Sequence, residues 1–144
     1  MSNSRHQIRV GAVILVYQSL MRDDPAERLY QIAEEYAEFP FDSEVRNLTD
    51  AVLVKADELD AVIQQMSPRR ALKRIPMLLR AILRVAIYEI TYQDKVPANA
   101  AISEALLICE EYSYFQEDVR FLNGLLGAYA RSLNTKTEDR GTES

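Results

Sequence analysis

The chain of 144 residues has little of the chemistry that metal sites and active sites need, since it contains one cysteine, one histidine and no tryptophan. Cys109 has no second thiol for an internal disulfide, which is typical of proteins in a reducing compartment. With a single imidazole, at His6, the sequence offers neither a Cys/His zinc cluster nor a Ser-His-Asp triad. We therefore expect a cytoplasmic protein with no metal, no cofactor and no catalysis.

Long apolar runs and excess positive charge are also missing. The longest apolar run, which includes Gly11 to Tyr17, is far below the roughly 20 residues that a membrane span needs. No cleavable signal sequence precedes it, so we expect no membrane association and no secretion. The formal net charge of −5 argues against a strongly basic nucleic-acid-binding protein. Any contact with nucleic acid must be local or shared with a partner.

Helix breakers are few, with four glycines and five prolines, and this composition predicts an all-α fold. The spacing of apolar residues predicts helices over about residues 6–22, 26–38 and 43–66, then after Pro76, after Pro97 and up to Leu133. Pro40 ends the second helix, Asp42 or Ser43 caps the third, and a short turn at Ser67 forms a hinge. The segment after Pro76 is apolar nearly all round, which indicates a central helix. The polar tail, residues 134–144, is predicted to be disordered.

Arginines are the remaining candidates for binding. Those that could contact phosphate groups are Arg5, Arg9, Arg80, Arg84, Arg120 and Arg131. Binding to a phosphate backbone needs several cations on one surface. The sequence does not show whether these six converge, and each alone is more often a solvated helix position.

Two C-terminal stretches and one N-terminal pattern resemble a known family. RAILRVAIYEITYQDKVPANAAISEAL, residues 80–106, and FLNGLLGAYAR, residues 121–131, resemble signature segments of the NusB family of transcription antitermination factors. A V-x-x-x-Y-Q pattern in the first helix also fits, and the resemblance covers about residues 4–133. It implies one NusB-like RNA-binding domain, residues 1–133, with about seven helices in two subdomains. Three helices would lie over about 4–66 and four over 67–133.

The same resemblance implies a function. NusB-like proteins bind boxA RNA of ribosomal RNA transcripts together with NusE, a small-subunit ribosomal protein, and the antitermination complex lets RNA polymerase read through terminators. Family positions imply RNA contacts at Arg5, His6, Arg9 and Arg120. They imply contacts with NusE at Tyr17, Glu117 and Phe121. By helical spacing alone, however, Tyr17 and Phe121 are more often core residues.

Four features depart from the family pattern. The family's Gly-x-x-Asp-Ser stretch before the last helix reads Tyr114-Phe115-Gln116-Glu117-Asp118 here, which loses the glycine and adds negative charge. The N-terminal arginine run is thinned to residues 5–9 with two arginines, a lysine often found in the central turn is Asn99, and an often acidic, partner-facing position is Leu79. Each lost phosphate contact weakens binding and its salt dependence. We therefore expect weak RNA binding by the protein alone and stronger binding with NusE.

Other hypotheses stay open at this point. The chain could be a NusB-fold protein-interaction module with little or no RNA binding, or a homodimer that pairs through exposed apolar residues such as Leu79. The family fold also occurs as the N-terminal part of ribosomal RNA cytosine methyltransferases. This chain has no glycine-rich strand-helix unit for a methyl donor, which disfavours an enzyme fragment.

Overall fold

The computed structural model describes residues 4–36, 38–39 and 41–142, with side chains described up to residue 134. Its described part is all helical, which confirms the predicted all-α fold with seven α-helices. A short 3₁₀ helix, Leu72–Arg74, connects the fourth and fifth of them. The α-helices are α1 (Arg5–Met21), α2 (Ala26–Tyr36), α3 (Ser43–Val54), α4 (Ala56–Met66), α5 (Met77–Tyr92), α6 (Ala98–Tyr112) and α7 (Gln116–Thr142).

Helix α5 is the centre of the core, as its apolar sequence predicts. It contacts α1, α4, α6 and α7, and its residues 81–87 are all buried. The polar exception in that run is Arg84, whose Nε donates to Oδ1 of Asp60 at 2.8 Å and whose Nη2 donates to Oδ2 at 2.6 Å. A buried cation needs such a partner. The guanidinium of Arg84, a candidate phosphate contact, is therefore paired with a carboxylate of α4.

The prediction of one long third helix over residues 43–66 is wrong, because the backbone breaks at Lys55. The start is as predicted, with Asp42 Oδ1 accepting from the Val45 amide at 2.9 Å. At Lys55 the amide donates to the Val52 carbonyl at 3.1 Å, a tightened last turn. Helix α3 packs on α1, whereas α4 packs on α5 and α7. The bend lets each half bury its own apolar face.

The predicted helix ends agree less well with the structure than the predicted helix centres do. Helix α2 ends at Tyr36, and Pro40, which is predicted to end it, lies outside the described residues. Helix α7 continues to Thr142, and the disordered tail predicted for residues 134–144 stays a prediction. The division at residue 66 into two subdomains stays a prediction.

Candidate RNA and partner surfaces

The first turn of α1 is fixed by a capping box. Ser4 Oγ accepts from the Gln7 amide at 3.1 Å, and Gln7 Oε1 accepts from the Ser4 amide at 2.9 Å. No acidic residue lies in this first turn. The pair satisfies two amides that a helix N-terminus leaves unbonded. The backbone that carries Arg5, His6 and Arg9 therefore starts from a defined geometry.

Arg9 points into the protein. Its side chain is 10% exposed, and its Nε donates to both carboxylate oxygens of Glu89, at 2.9 and 3.0 Å. Glu89 lies in α5 with only 2% of its side chain exposed, and Glu104 of α6 lies 3.8 Å from Arg9 Nη1. This guanidinium, predicted as an RNA contact, is occupied in joining α1 to α5 and α6.

Arg5 and His6 remain at the surface. The Arg5 side chain is 58% exposed, and its Nη2 lies 3.9 Å from Glu89. His6 is 42% exposed and its Nδ1 lies 2.7 Å from Glu104 Oε2. The structure therefore brings the three predicted N-terminal contacts together around two glutamates. Of the three, Arg5 has the weakest protein contact and the largest exposure.

Arg120 lies away from this cluster. Thr91, at the C-terminal end of α5, lies 2.7 Å from the hydroxyl of Tyr129 in α7. Arg120 is nine positions earlier in α7, or about 13 Å along the helix axis, at the other end of the bundle. Arg120 lines an open groove of about 510 Å³ together with Arg69 and Arg70. The structure thus separates Arg120 from the other three predicted RNA contacts.

Of the residues predicted to contact NusE, Tyr17 is half-buried and packs against the core. It also lines an apolar groove of about 350 Å³ between α1, α5 and α6, with Met21, Leu78 and Tyr112 among the lining residues. Met21 is 50% exposed and Tyr112 is 46% exposed. Tyr17 is therefore a core residue on one side and a surface residue on the other.

The other two predicted partner contacts lie in the first turns of α7. Glu117 is exposed, and Phe121 is half-buried against the core. The guanidinium carbon of Arg70 stands 4.9 Å from the centre of the Phe121 ring, within the range of a cation–π contact. Phe121 lines the groove that contains Arg120. The Phe121 ring therefore packs against the core and also lines the groove.

The expectation that Leu79 is exposed is wrong. Leu79 is 1% exposed and belongs to the main core cluster, because α5 is surrounded by other helices along this stretch. The proposed pairing of two copies through Leu79 loses its basis.

Sequence reasoning missed the basic run at residues 69–74. Four of its six residues are cations, namely Arg69, Arg70, Lys73 and Arg74, and the first two lie beside Arg120. The run RRALKR is visible in the sequence, but its neighbour in α7 is not. The acidic partners Glu89 and Glu104 were missed as well, since nothing local in the sequence pairs them with α1.

The single thiol of the chain lies in the core. Cys109 is fully buried, and burial raises the pKa of its thiol to about 11, which keeps it protonated at neutral pH. Among the described residues, no group of three His, Cys, Asp or Glu side chains could hold a metal ion. None of the described helices is long and apolar enough to cross a membrane.

Comparison with known proteins identifies the family. Residues 6–131 match the NusB family. The chain belongs to the NusB family. A transcription antitermination protein NusB from Heliobacterium modesticaldum is 32% identical to it, over 98% of this chain and 68% of that protein. The predicted resemblance is thereby confirmed.

Solved structures share the NusB fold with this chain. T. maritima NusB superposes with a TM-score of 0.78 at 24% identity, covering 91% of this chain and 93% of that one. A structure of the antitermination factors NusB and NusE in complex with double-stranded RNA contains a chain with a TM-score of 0.76 at 19% identity, covering 89% and 96%. At these identities the likeness concerns the fold.

Proposed function

We propose that this NusB-family protein is a transcription antitermination factor that binds boxA RNA of ribosomal RNA transcripts together with NusE and promotes read-through by RNA polymerase in the cytoplasm. The observation that carries the proposal is the capped N-terminus of α1, which presents Arg5 and His6 at the surface. Exposed cations are the groups that contact phosphate. The role requires no bond to be made or broken by the protein.

Within this proposal, Arg9 is a positioning residue and Arg5 is the main phosphate contact. The Arg9–Glu89 contact holds α1 on α5, so it sets the direction in which Arg5 and His6 leave the surface. Arg120 belongs to a separate basic surface with Arg69 and Arg70. The apolar groove at Tyr17 and Met21 supports the proposed NusE contact, because exposed apolar patches are typical of protein interfaces.

The RNA part of the proposal is tested with fluorescence anisotropy on a labelled boxA RNA, with and without NusE, over a range of salt concentrations. Arg5→Gln should weaken binding and lower the slope of log K against log salt by about 0.7, the value for one phosphate contact on a single strand. The matched control is Arg28→Gln, an exposed arginine of α2, which should change neither. Equal behaviour of the two variants would contradict the proposed RNA contact.

The partner part is tested by calorimetric titration with NusE. Met21→Glu places a charge at the rim of the apolar groove without burying it, since Met21 is 50% exposed. We expect it to weaken NusE binding at least tenfold, whereas Val54→Glu, an 82% exposed apolar residue outside that groove, should have no effect. Unchanged NusE affinity for Met21→Glu would place the partner elsewhere.

A second candidate function is a protein-interaction module with little RNA binding of its own. The observation in its favour is that Arg9 and His6 both lie against glutamates, Glu89 and Glu104. These carboxylates cancel much of the positive charge at the α1 terminus. NusE binding without any preference for boxA over a scrambled RNA would favour this function.

A further inference from the structure

A cleft of about 400 Å³ opens directly beside Arg5, between α1, α3 and the C-terminal end of α5. Its volume falls within the range of about 300–1,000 Å³ that is typical of small-molecule sites. Arg5 itself forms part of the wall. A chain whose phosphate is held by Arg5 would therefore have its next base at the mouth of this cleft.

Apolar and polar surface contribute about equally to the wall of the cleft, and the apolar part comes from a few side chains. Ile8, which is buried, and Leu48, which is half-buried, line it together with the half-buried ring of Tyr88. Tyrosine rings are surfaces on which unstacked bases pack, and stacking of this kind contributes to binding whatever the base. These three residues match the apolar faces of a nucleobase.

The rim of the cleft is polar, and its one positive and one negative side chain give a net charge near zero. Asn47 and Gln93 place two side-chain amides there, and each amide can both donate and accept. Neither amide has a hydrogen-bonding partner among the residues that the structure describes. Glu44 supplies a carboxylate that balances the charge of Arg5. A carboxylate repels phosphate but accepts hydrogen bonds from the amino group of a base.

We propose that this cleft binds one unstacked base of the RNA, and specifically a base with an exocyclic amino group. Tyr88 provides the stacking surface, Asn47 and Gln93 bond the base edge, and Glu44 accepts from the amino group. Arg5 holds the adjoining phosphate. The inference rests on the proposed RNA-binding function, and it adds a site of base recognition to the phosphate contact.

The test uses the full chain in complex with NusE and a fluorescein-labelled boxA RNA. Asn47→Ala should weaken binding about 3- to 10-fold, the effect of one lost hydrogen bond. It should leave the salt slope unchanged, because a neutral amide displaces no counterions. Asn123→Ala, an exposed asparagine of α7, is the matched control and should bind like the parent. Gln93→Ala provides a second variant, and urea unfolding verifies that each one is folded.

A series of RNAs, each with one base replaced by an abasic nucleotide, then locates the contact. One abasic position should weaken binding by the parent protein and cause little further loss with Asn47→Ala, because both changes remove the same contact. Replacing that base by uracil, which lacks the amino group, should also weaken binding.

Two results would overturn the proposed base site: Asn47→Ala and Gln93→Ala binding as tightly as the parent, or every abasic position weakening parent and variant equally. The Arg5→Gln variant separates this failure from failure of the function itself. If Arg5→Gln weakens RNA binding and the cleft variants do not, the base site is wrong and the RNA contact stands. If none of them matters, the proposed RNA function fails as well.

Discussion

Replacing Glu89 by alanine would leave the guanidinium of Arg9 buried without its carboxylate. The two side chains are 10% and 2% exposed, and Arg9 Nε lies 2.9 and 3.0 Å from the Glu89 oxygens. Removing one partner of a buried ion pair costs about 3–5 kcal/mol, since the other charge stays desolvated. Glu104 remains 3.8 Å from Arg9 Nη1 and compensates in part. We therefore expect a loss of about 3 kcal/mol, at the lower end of that range.

Urea unfolding followed by circular dichroism measures this loss. With a denaturant slope of about 1–3 kcal/mol per molar urea, the midpoint should fall by about 1–3 M. Glu111→Ala, which removes an exposed acid of α6, is the control and should change the free energy of unfolding by less than about 0.5 kcal/mol.

A double variant tests whether the cost comes from the unpaired charge. Arg9→Met combined with Glu89→Leu removes both charges and keeps similar volumes, so it should be clearly more stable than Glu89→Ala. A loss below about 1 kcal/mol for Glu89→Ala would refute the reasoning. In that case the ion pair would not be what holds α1 against α5.

Two further predictions concern the core and the response to alkaline pH. Leu79→Ala should lower the free energy of unfolding by about 2–5 kcal/mol, because Leu79 is 1% exposed. Leu107→Ala should lower it by less than about 0.5 kcal/mol, because Leu107 is 51% exposed. Equal losses of the two variants in urea unfolding would contradict the burial of Leu79. The hydrogen bond from Tyr92 to Glu58 raises the pKa of the phenol to about 12, compared with about 10 in an unfolded chain. Between about pH 10 and pH 12 the unfolded state therefore loses this proton while the folded state keeps it. The free energy of unfolding should fall as the pH rises through this window. Tyr92→Phe should flatten the pH dependence of the urea midpoint in that window, and an unchanged slope would count against the assignment.

The sequence was sufficient to predict elements whose signals are local. The apolar run of α5 and the cap at Asp42 are both where periodicity and capping chemistry put them. The break at Lys55 was not predictable this way, because residues 43–66 carry one continuous helical pattern. Its cause is tertiary, since α3 and α4 pack against different helices. The burial of Leu79 has the same kind of cause, namely the number of helices around α5.

The candidate site was predictable only in outline. The sequence places Arg5, His6 and Arg9 on adjacent turns, and the resemblance gives them one role. The structure gives them different surroundings because Glu89 lies 80 positions from Arg9 and Glu104 lies 98 positions from His6. Which arginine is paired and which is exposed is therefore decided by contacts between distant segments, to which local patterns are blind.

The two arginines of the thinned N-terminal run therefore have different surroundings, and they should not be counted as equivalent phosphate contacts. Counted as phosphate contacts, Arg5 and Arg9 look like a weakened version of a basic arm. Arg9 is paired with Glu89 inside the protein. Arg5 lies 3.9 Å from the same glutamate and lines a cleft that Glu44 also lines. An RNA bound here would displace few counterions, so its affinity should depend weakly on salt and strongly on base contacts and on NusE. Under the proposed function, joint binding with NusE would compensate for this weak electrostatic affinity.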